Sequence, residues 1–224
     1  AIELNPQLAG AYIVRGGAYS RLDNMKQAIN DFDKAIALNS EEAGAYVVRG
    51  LLYAKLGNTK QAIKDFDKAI ELNPQLGESY HNRGLAYSKF GNDNQAIKDF
   101  DKAIKLNPQD ASSYYRRGII QNKLGNDKQA IEDYNKAIEF NTQNAEVYYI
   151  RGLNYLALGN TKRAIKDLDK AIELNPQYAE AFYQRGVVYA NLDNDKQAIA
   201  DLKIAARLGY KGAQDVLREL KIYW

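Results

Sequence analysis

The chain has 224 residues, with 31 basic against 28 acidic side chains and a formal net charge of +3. A surface built to neutralise phosphates carries a larger, clustered basic excess, so nucleic acid is not an expected partner. With no Cys and a single His, His81, neither a disulfide framework nor a Cys/His zinc site can be assembled, and no apolar run is long enough to span a membrane. The absence of Cys does not fix the compartment. Seventeen Tyr against 6 Phe and 1 Trp is an unusual balance that needs a structural reason.

In chain order, the string AIELNPQL of Ala1–Leu8 recurs at Ala69–Leu76 and nearly so at Ala171–Tyr178. Similar strings occupy Ala35–Ser40, Ala103–Gln109 and Ala137–Gln143, and neighbouring copies are always 34 residues apart. Residues 1–8 read as the tail of the second helix of an incomplete preceding repeat. The apolar stripe of Ala1, Ile2 and Leu4 would leave an open end able to promote end-to-end association. Six complete repeats follow, at 9–42, 43–76, 77–110, 111–144, 145–178 and 179–212. After Gly209 the pattern breaks down, and Gly212–Tyr223 predicts one more amphipathic helix, so that 213–224 is expected to cap the array. Its apolar face would be Ala213, Val216, Leu217 and Leu220.

Within each repeat the fourth place holds Tyr12, Tyr46, Tyr80, Tyr114, Tyr148 and Phe182. The eighth is always Gly, from Gly16 to Gly186, and the eleventh is Tyr in all copies but the fourth, which has Gln121. The twentieth and twenty-seventh are always Ala, and the twenty-fourth is Phe32, Phe66, Phe100, Tyr134, Leu168 or Leu202. Places four, seven, eight and eleven share one face of a first helix. Places twenty, twenty-four, twenty-seven and twenty-eight share one face of a second. Leu-Gly-Asn between them, as at Leu56–Asn58, is a helix stop and turn. Asn-Pro after the second helix suits a Pro at an early place of the next one. Gly and Ala at the crossing places allow close approach, and stacking of hairpins supplies the core.

These columns resemble the tetratricopeptide repeat over essentially the whole chain. The resemblance implies an all-α fold, a right-handed superhelical α-solenoid of antiparallel helix-turn-helix repeats. Two departures stand out: Arg takes the seventh place, where the family commonly has Leu, and Pro74, Pro108 and Pro176 close only three of the six complete repeats.

Function is sought in the columns that vary. The second, fifth, ninth, twelfth and thirteenth places lie opposite the packed face, and the resemblance implies that they line a concave groove. The expected peptide-binding groove comprises Lys55, His81, Asn82, Leu85, Lys89, Tyr115, Arg116, Ile119, Asn122, Lys123, Tyr149, Leu153 and Tyr183. It has an apolar floor, a basic edge along its N-terminal half and aromatic residues toward its C-terminal half. Asn82 and Arg116 enter because a carboxylate-gripping subclass of the resembled family uses Asn and Arg at the sixth place. The charged clamp of that subclass is absent here. Such a groove suits an extended or helical segment of another protein with apolar anchors and acidic residues. The chain is therefore expected to be a protein–protein interaction scaffold and not an enzyme, with no cofactor. The alternative is a self-assembling module that associates through its open N-terminal end. No nucleophile–base constellation, phosphate-cradling loop or metal set is visible.

Arg15, Arg49, Arg83, Arg117, Arg151 and Arg185 fill the seventh place, and Asp31, Asp65, Asp99, Asp133, Asp167 and Asp201 the twenty-third. This pairing predicts an Arg–Asp bridge inside each hairpin. Lys34, Lys68, Lys102, Lys136 and Lys170, three residues on, are expected to compete for the same carboxylates. The Asp-x-Asp strings, such as Asp65–Asp67, cannot chelate a metal together, because residues two apart on a helix diverge.

Overall fold

A computed structural model describes residues 7–224. The proposed tail at residues 1–8, with its stripe of Ala1, Ile2 and Leu4, lies almost wholly outside the described residues. The described residues form helices and turns without a strand. They fall into two compact units, one ending at Ile120 and the other Gln121–Trp224.

In the first unit three antiparallel hairpins stack. They are α1 (Ala9–Arg21) with α2 (Met25–Leu38), α3 (Ala43–Lys55) with α4 (Thr59–Leu72), and α5 (Gly77–Lys89) with α6 (Asp93–Leu106). Helix α7 (Ala111–Lys123) runs across the division, and its Ile120 packs on Ala96 and Phe100 of α6. The second unit holds α8 (Asp127–Phe140), the hairpin of α9 (Ala145–Ala157) with α10 (Thr161–Leu174), and the hairpin of α11 (Ala179–Ala190) with α12 (Asp195–Arg207). Helix α13 (Lys211–Glu219) packs on α12.

Local chemistry sets the ends of these helices. Gly57, Gly91, Gly125 and Gly159 take positive φ in the turn between the two helices of a repeat, the conformation that glycine adopts at least cost. The next residue is Asn, as it is after Asp193 in the sixth repeat, and the side chains of Asn58, Asn92, Asn160 and Asn194 accept from the backbone N–H three residues on, capping the second helix. Asn73, Asn107 and Asn175 leave the second helix in an extended conformation, and each side chain accepts from the N–H two residues on. Pro74, Pro108 and Pro176 therefore sit in turns, not inside the following helix as the Asn-Pro pattern had suggested.

The core has two layers. Within a hairpin the expected columns close: Ala28, Phe66, Phe100, Ala103 and Leu168 are buried, and the eighth-place Gly lets a ring approach. A Cβ on Gly50 would lie 2.7 Å from Cε1 of Phe66. Between hairpins a second set is buried that the columns did not single out. At the third place these are Ala45, Ser79, Ser113, Val147 and Ala181, and at the tenth Leu52, Ala86, Ile120, Asn154 and Val188. They vary in type because each fits its own neighbour.

Helix α13 is shorter than expected. It ends at Glu219, with Lys221 at a φ of 56°, so Leu220 falls outside the apolar face and is exposed, whereas Ala213 and Leu217 are buried.

Candidate functional site

In five hairpins the seventh-place arginine ties the first helix to the second. In the five hairpins of Arg15, Arg49, Arg83, Arg151 and Arg185, Nε and Nη2 donate to both oxygens of the twenty-third-place Asp at 2.7–2.8 Å. The hydrogen bond to Asp65 holds the Arg49 guanidinium above its ordinary pKa against desolvation. The remaining Nη1 reaches back to the preceding repeat. It meets Asp33 from Arg49, Asp67 from Arg83, Asp101 from Arg117 and Asp169 from Arg185. This is the role of the second Asp in the Asp-x-Asp strings: one arginine ties its own hairpin and links it to the one before. At Arg151 the linking position is neutral, Asn135. Among the described residues Lys34, Lys68, Lys102 and Lys170 do not pair with these carboxylates. Lys68, Lys136 and Lys170 pair with Glu71, Glu139 and Glu173, and Lys34 and Lys102 lie over the rings of Tyr12 and Tyr80. The abundance of Tyr is thus structural in part, since the fourth- and eleventh-place rings also flank the ladder guanidiniums.

In the first unit the ladder leaves a basic surface on the odd-numbered helices. Glu78 is the one acidic residue in α1, α3, α5 and α7. Against it stand exposed Arg21, Lys55, Lys89 and Arg116, none of them a ladder residue. Lys55 pairs at 2.7 Å with Asp23, both well exposed. Arg116 lies 5.3 Å from the ring centroid of Tyr115. Leu51 is exposed and Leu85 and Ile119 are half-buried, giving apolar surface between the charges.

Two expected groove residues of this unit are corrected. Tyr115 is 5% exposed and Asn82 9%, so both are wall and not open surface. His81 is half-buried and serves the stack: its Nδ1 is 2.7 Å from Ser113 Oγ of the next repeat, and that hydroxyl donates to Asp110. Asp110 also caps α7, accepting from the N–H groups of Ser112 and Ser113. His, Ser and Asp meet here in an order unlike a nucleophilic triad. The carboxylate accepts the serine hydroxyl and stands 3.7 Å from the imidazole Nδ1, beyond hydrogen-bond distance, and Ser113 is wholly buried. Burial holds His81 below its ordinary value, opposed by Asp110 and aided by Arg116.

In the second unit the expected residues are arranged differently. Asn122 donates to Oδ1 of buried Asn154 at 2.6 Å, and Asn154 donates to the Ile150 carbonyl, so this pair joins neighbouring repeats. Lys123 is exposed, and Leu153 is half-buried. Tyr149 and Tyr183 do not stack on each other. Each packs on a tyrosine of the turn that closes its own repeat: Tyr149 on Tyr178 at 4.9 Å and Tyr183 on Tyr210 at 4.7 Å between ring centroids. Burial raises the pKa of Tyr149 and Tyr178. The first helices of this unit carry Glu146 and Glu180 beside their ladder arginines, so they lack the basic bias of the first. Among the described residues no group of three His, Cys, Asp or Glu could hold a metal, and no helix is long and apolar enough to cross a membrane.

Comparison with known proteins agrees with this architecture. Family profiles described as tetratricopeptide repeat match residues 9–42, 43–76, 77–110 and 111–144, and one described as TPR repeat matches 152–193. No curated protein matches the chain. Among solved structures, MamA is 27% identical with a TM-score of 0.68, over 74% of this chain and 96% of that one. YrrB, described as a TPR protein with an unusual peptide-binding site, is 26% identical with a TM-score of 0.69, over 82% of this chain and 95% of that one. The pilF protein of Pseudomonas aeruginosa shares the fold at 18% identity, with a TM-score of 0.81 over 94% of this chain and 97% of that one. With repeat profiles over most of its length and the hairpin packing they describe, this chain belongs to the tetratricopeptide repeat family and is a protein-interaction scaffold.

Proposed function

We propose that the odd-numbered helices of the first unit bind an acidic segment of a partner protein that carries apolar anchors. The observation behind this reading is the segregation of charge. The arginine ladder is neutralised by aspartates on the even-numbered helices. Arg21, Lys89 and Arg116 are left over, and they stand around apolar Leu51, Leu85 and Ile119. Lys55 joins them once Asp23 is displaced, and an exposed pair of that kind is worth about 0–1 kcal/mol. Apolar contacts would supply most of the affinity and the basic rim would set on-rate and partner choice. The peptide-binding description of YrrB, a similar chain, is consistent with this reading.

The test is a selection of random dodecapeptides on the full chain. The expected winners combine Asp or Glu with Leu, Ile or Phe, and the paired variant Lys89→Glu with Arg116→Glu loses them while keeping its melting temperature. Winners without acidic enrichment, or winners that the variant still binds, would overturn the reading.

A further inference from the structure

The second unit contains a depression on the groove face of its first helices, lined by residues outside the candidate set named above. It encloses about 270 Å³ and is lined by Leu156 of α9, Thr161 of α10, Gln184, Val187 and Val188 of α11, and Asn191 and Leu192 of the following turn. Val188 is buried and forms its base, while Leu192 stands 52% exposed at its edge. No lining side chain is ionisable. At the thirteenth place the first unit has Arg21, Lys55 and Lys89 and the second unit starts with Lys123, but in the repeats that line the hollow that place is Ala157 and Asn191. The same face of the repeat has therefore lost its charge around an apolar hollow.

We propose that this hollow takes one apolar side chain, of leucine or larger, carried on an uncharged extended segment of a partner polypeptide. Three features point to that occupant. The volume lies below the ~300–1,000 Å³ of pockets that enclose whole small molecules, so a side chain fits better than a metabolite. Leu156, Val187, Val188 and Leu192 offer apolar wall and base on several sides. A charged anchor would lose its hydration with no counter-charge in the lining. Thr161, Gln184 and Asn191 ring the hollow with neutral donors and acceptors, the complement of a peptide backbone. The proposal rests on the interaction-scaffold reading for the polypeptide nature of its ligand, but it uses a different unit and a different chemistry.

The experiment is a methyl NMR titration of the full chain with three blocked heptapeptides, Ser-Gly-Ser-X-Ser-Gly-Ser, in which X is Leu, Ser or Glu. The Leu peptide should shift the methyl signals of Leu156, Val187, Val188 and Leu192 saturably. The Ser and Glu peptides should bind roughly tenfold more weakly, as loss of a largely buried leucine side chain implies. Asn191→Lys and Leu192→Ser, both at exposed positions, should weaken the Leu peptide without changing the melting temperature. Equal binding of the Leu and Ser peptides, shifts confined to other residues, or indifference to both substitutions would overturn the proposal. Failure here with retained acidic-peptide binding at Lys89 and Arg116 would sink the pocket alone.

Discussion

Arg83 holds two carboxylates of very different burial, and this contrast assigns their energetic roles. Asp99 is 2% exposed and takes both Nε and Nη2, whereas Asp67 receives Nη1 at an exposed edge. Asp99→Asn leaves a half-buried guanidinium half-paired and removes the buried carboxylate, and should cost about 3–5 kcal/mol in urea unfolding, while Asp67→Asn should cost about 1 kcal/mol or less. Equal costs would contradict the bridge geometry. His81 gives a pH signature. Its folded pKa lies below the ordinary 6.5, so the unfolded chain binds a proton more readily. The stability it contributes is complete above 6.5 and is lost as pH falls below that value. The groups facing it are Asp110, Glu78, Arg116 and the Ser113 hydroxyl, with the Phe100 ring edge-on. The wild type should therefore lose more stability than His81→Asn between roughly pH 7 and pH 5.5. Parallel losses would show that His81 is not the titrating group. The Arg–Asp pairing was legible in the sequence because both columns are invariant. The link to the preceding repeat was not, since the Asp column at the twenty-fifth place pairs with the arginine of the next repeat and not with that of its own.

At the scale of helices, the turns and the eighth-place glycines were legible because a steric demand leaves only one residue type. The demand nevertheless differs between repeats. A Cβ on Gly50 would meet the Phe66 ring at 2.7 Å, but one on Gly152 meets its nearest neighbours only at 3.4–3.5 Å, because Leu168 replaces the ring. Gly50→Ala should destabilise by about 1–3 kcal/mol through overpacking. Gly152→Ala should be near neutral or stabilising, since Ala gains up to about 1 kcal/mol of helix propensity. Thermal unfolding of both variants checks this, and a large loss at Gly152 would mean that the hairpin cannot accommodate even ordinary contact. The third and tenth places escaped the columns because their partners lie in the previous repeat, so complementarity is pairwise. Asn122 with Asn154, and His81 with Ser113, are two such pairs, and both draw an expected ligand residue into the stack. Where the ladder has a neutral link, Asn135→Asp should stabilise by up to about 1 kcal/mol, less in high salt. An unchanged or lower melting temperature would show that Arg151 is already satisfied.

For the molecule as a whole, charge is sorted by helix. Even-numbered helices hold the aspartates of the ladder, and the odd-numbered helices of the first unit hold the spare bases. Net charge of +3 conceals this, which is why composition alone pointed to no partner. The basic edge itself could be read from the thirteenth place; which residues on that face are open could not, because Tyr115 and Asn82 turn out to be buried. On the proposed reading, this sorted face selects a partner by charge around apolar anchors. The most direct test of that reading is a fluorescence-anisotropy titration of two labelled peptides, Glu-Glu-Leu-Leu-Glu-Glu-Leu-Phe and Lys-Lys-Leu-Leu-Lys-Lys-Leu-Phe, against the wild type and the variant carrying Lys89→Glu and Arg116→Glu. The wild type should prefer the acidic peptide by roughly tenfold or more at low salt, and the variant should reverse or erase that preference. Equal affinity of the wild type for both peptides, or a preference that the charge reversal leaves intact, would contradict it.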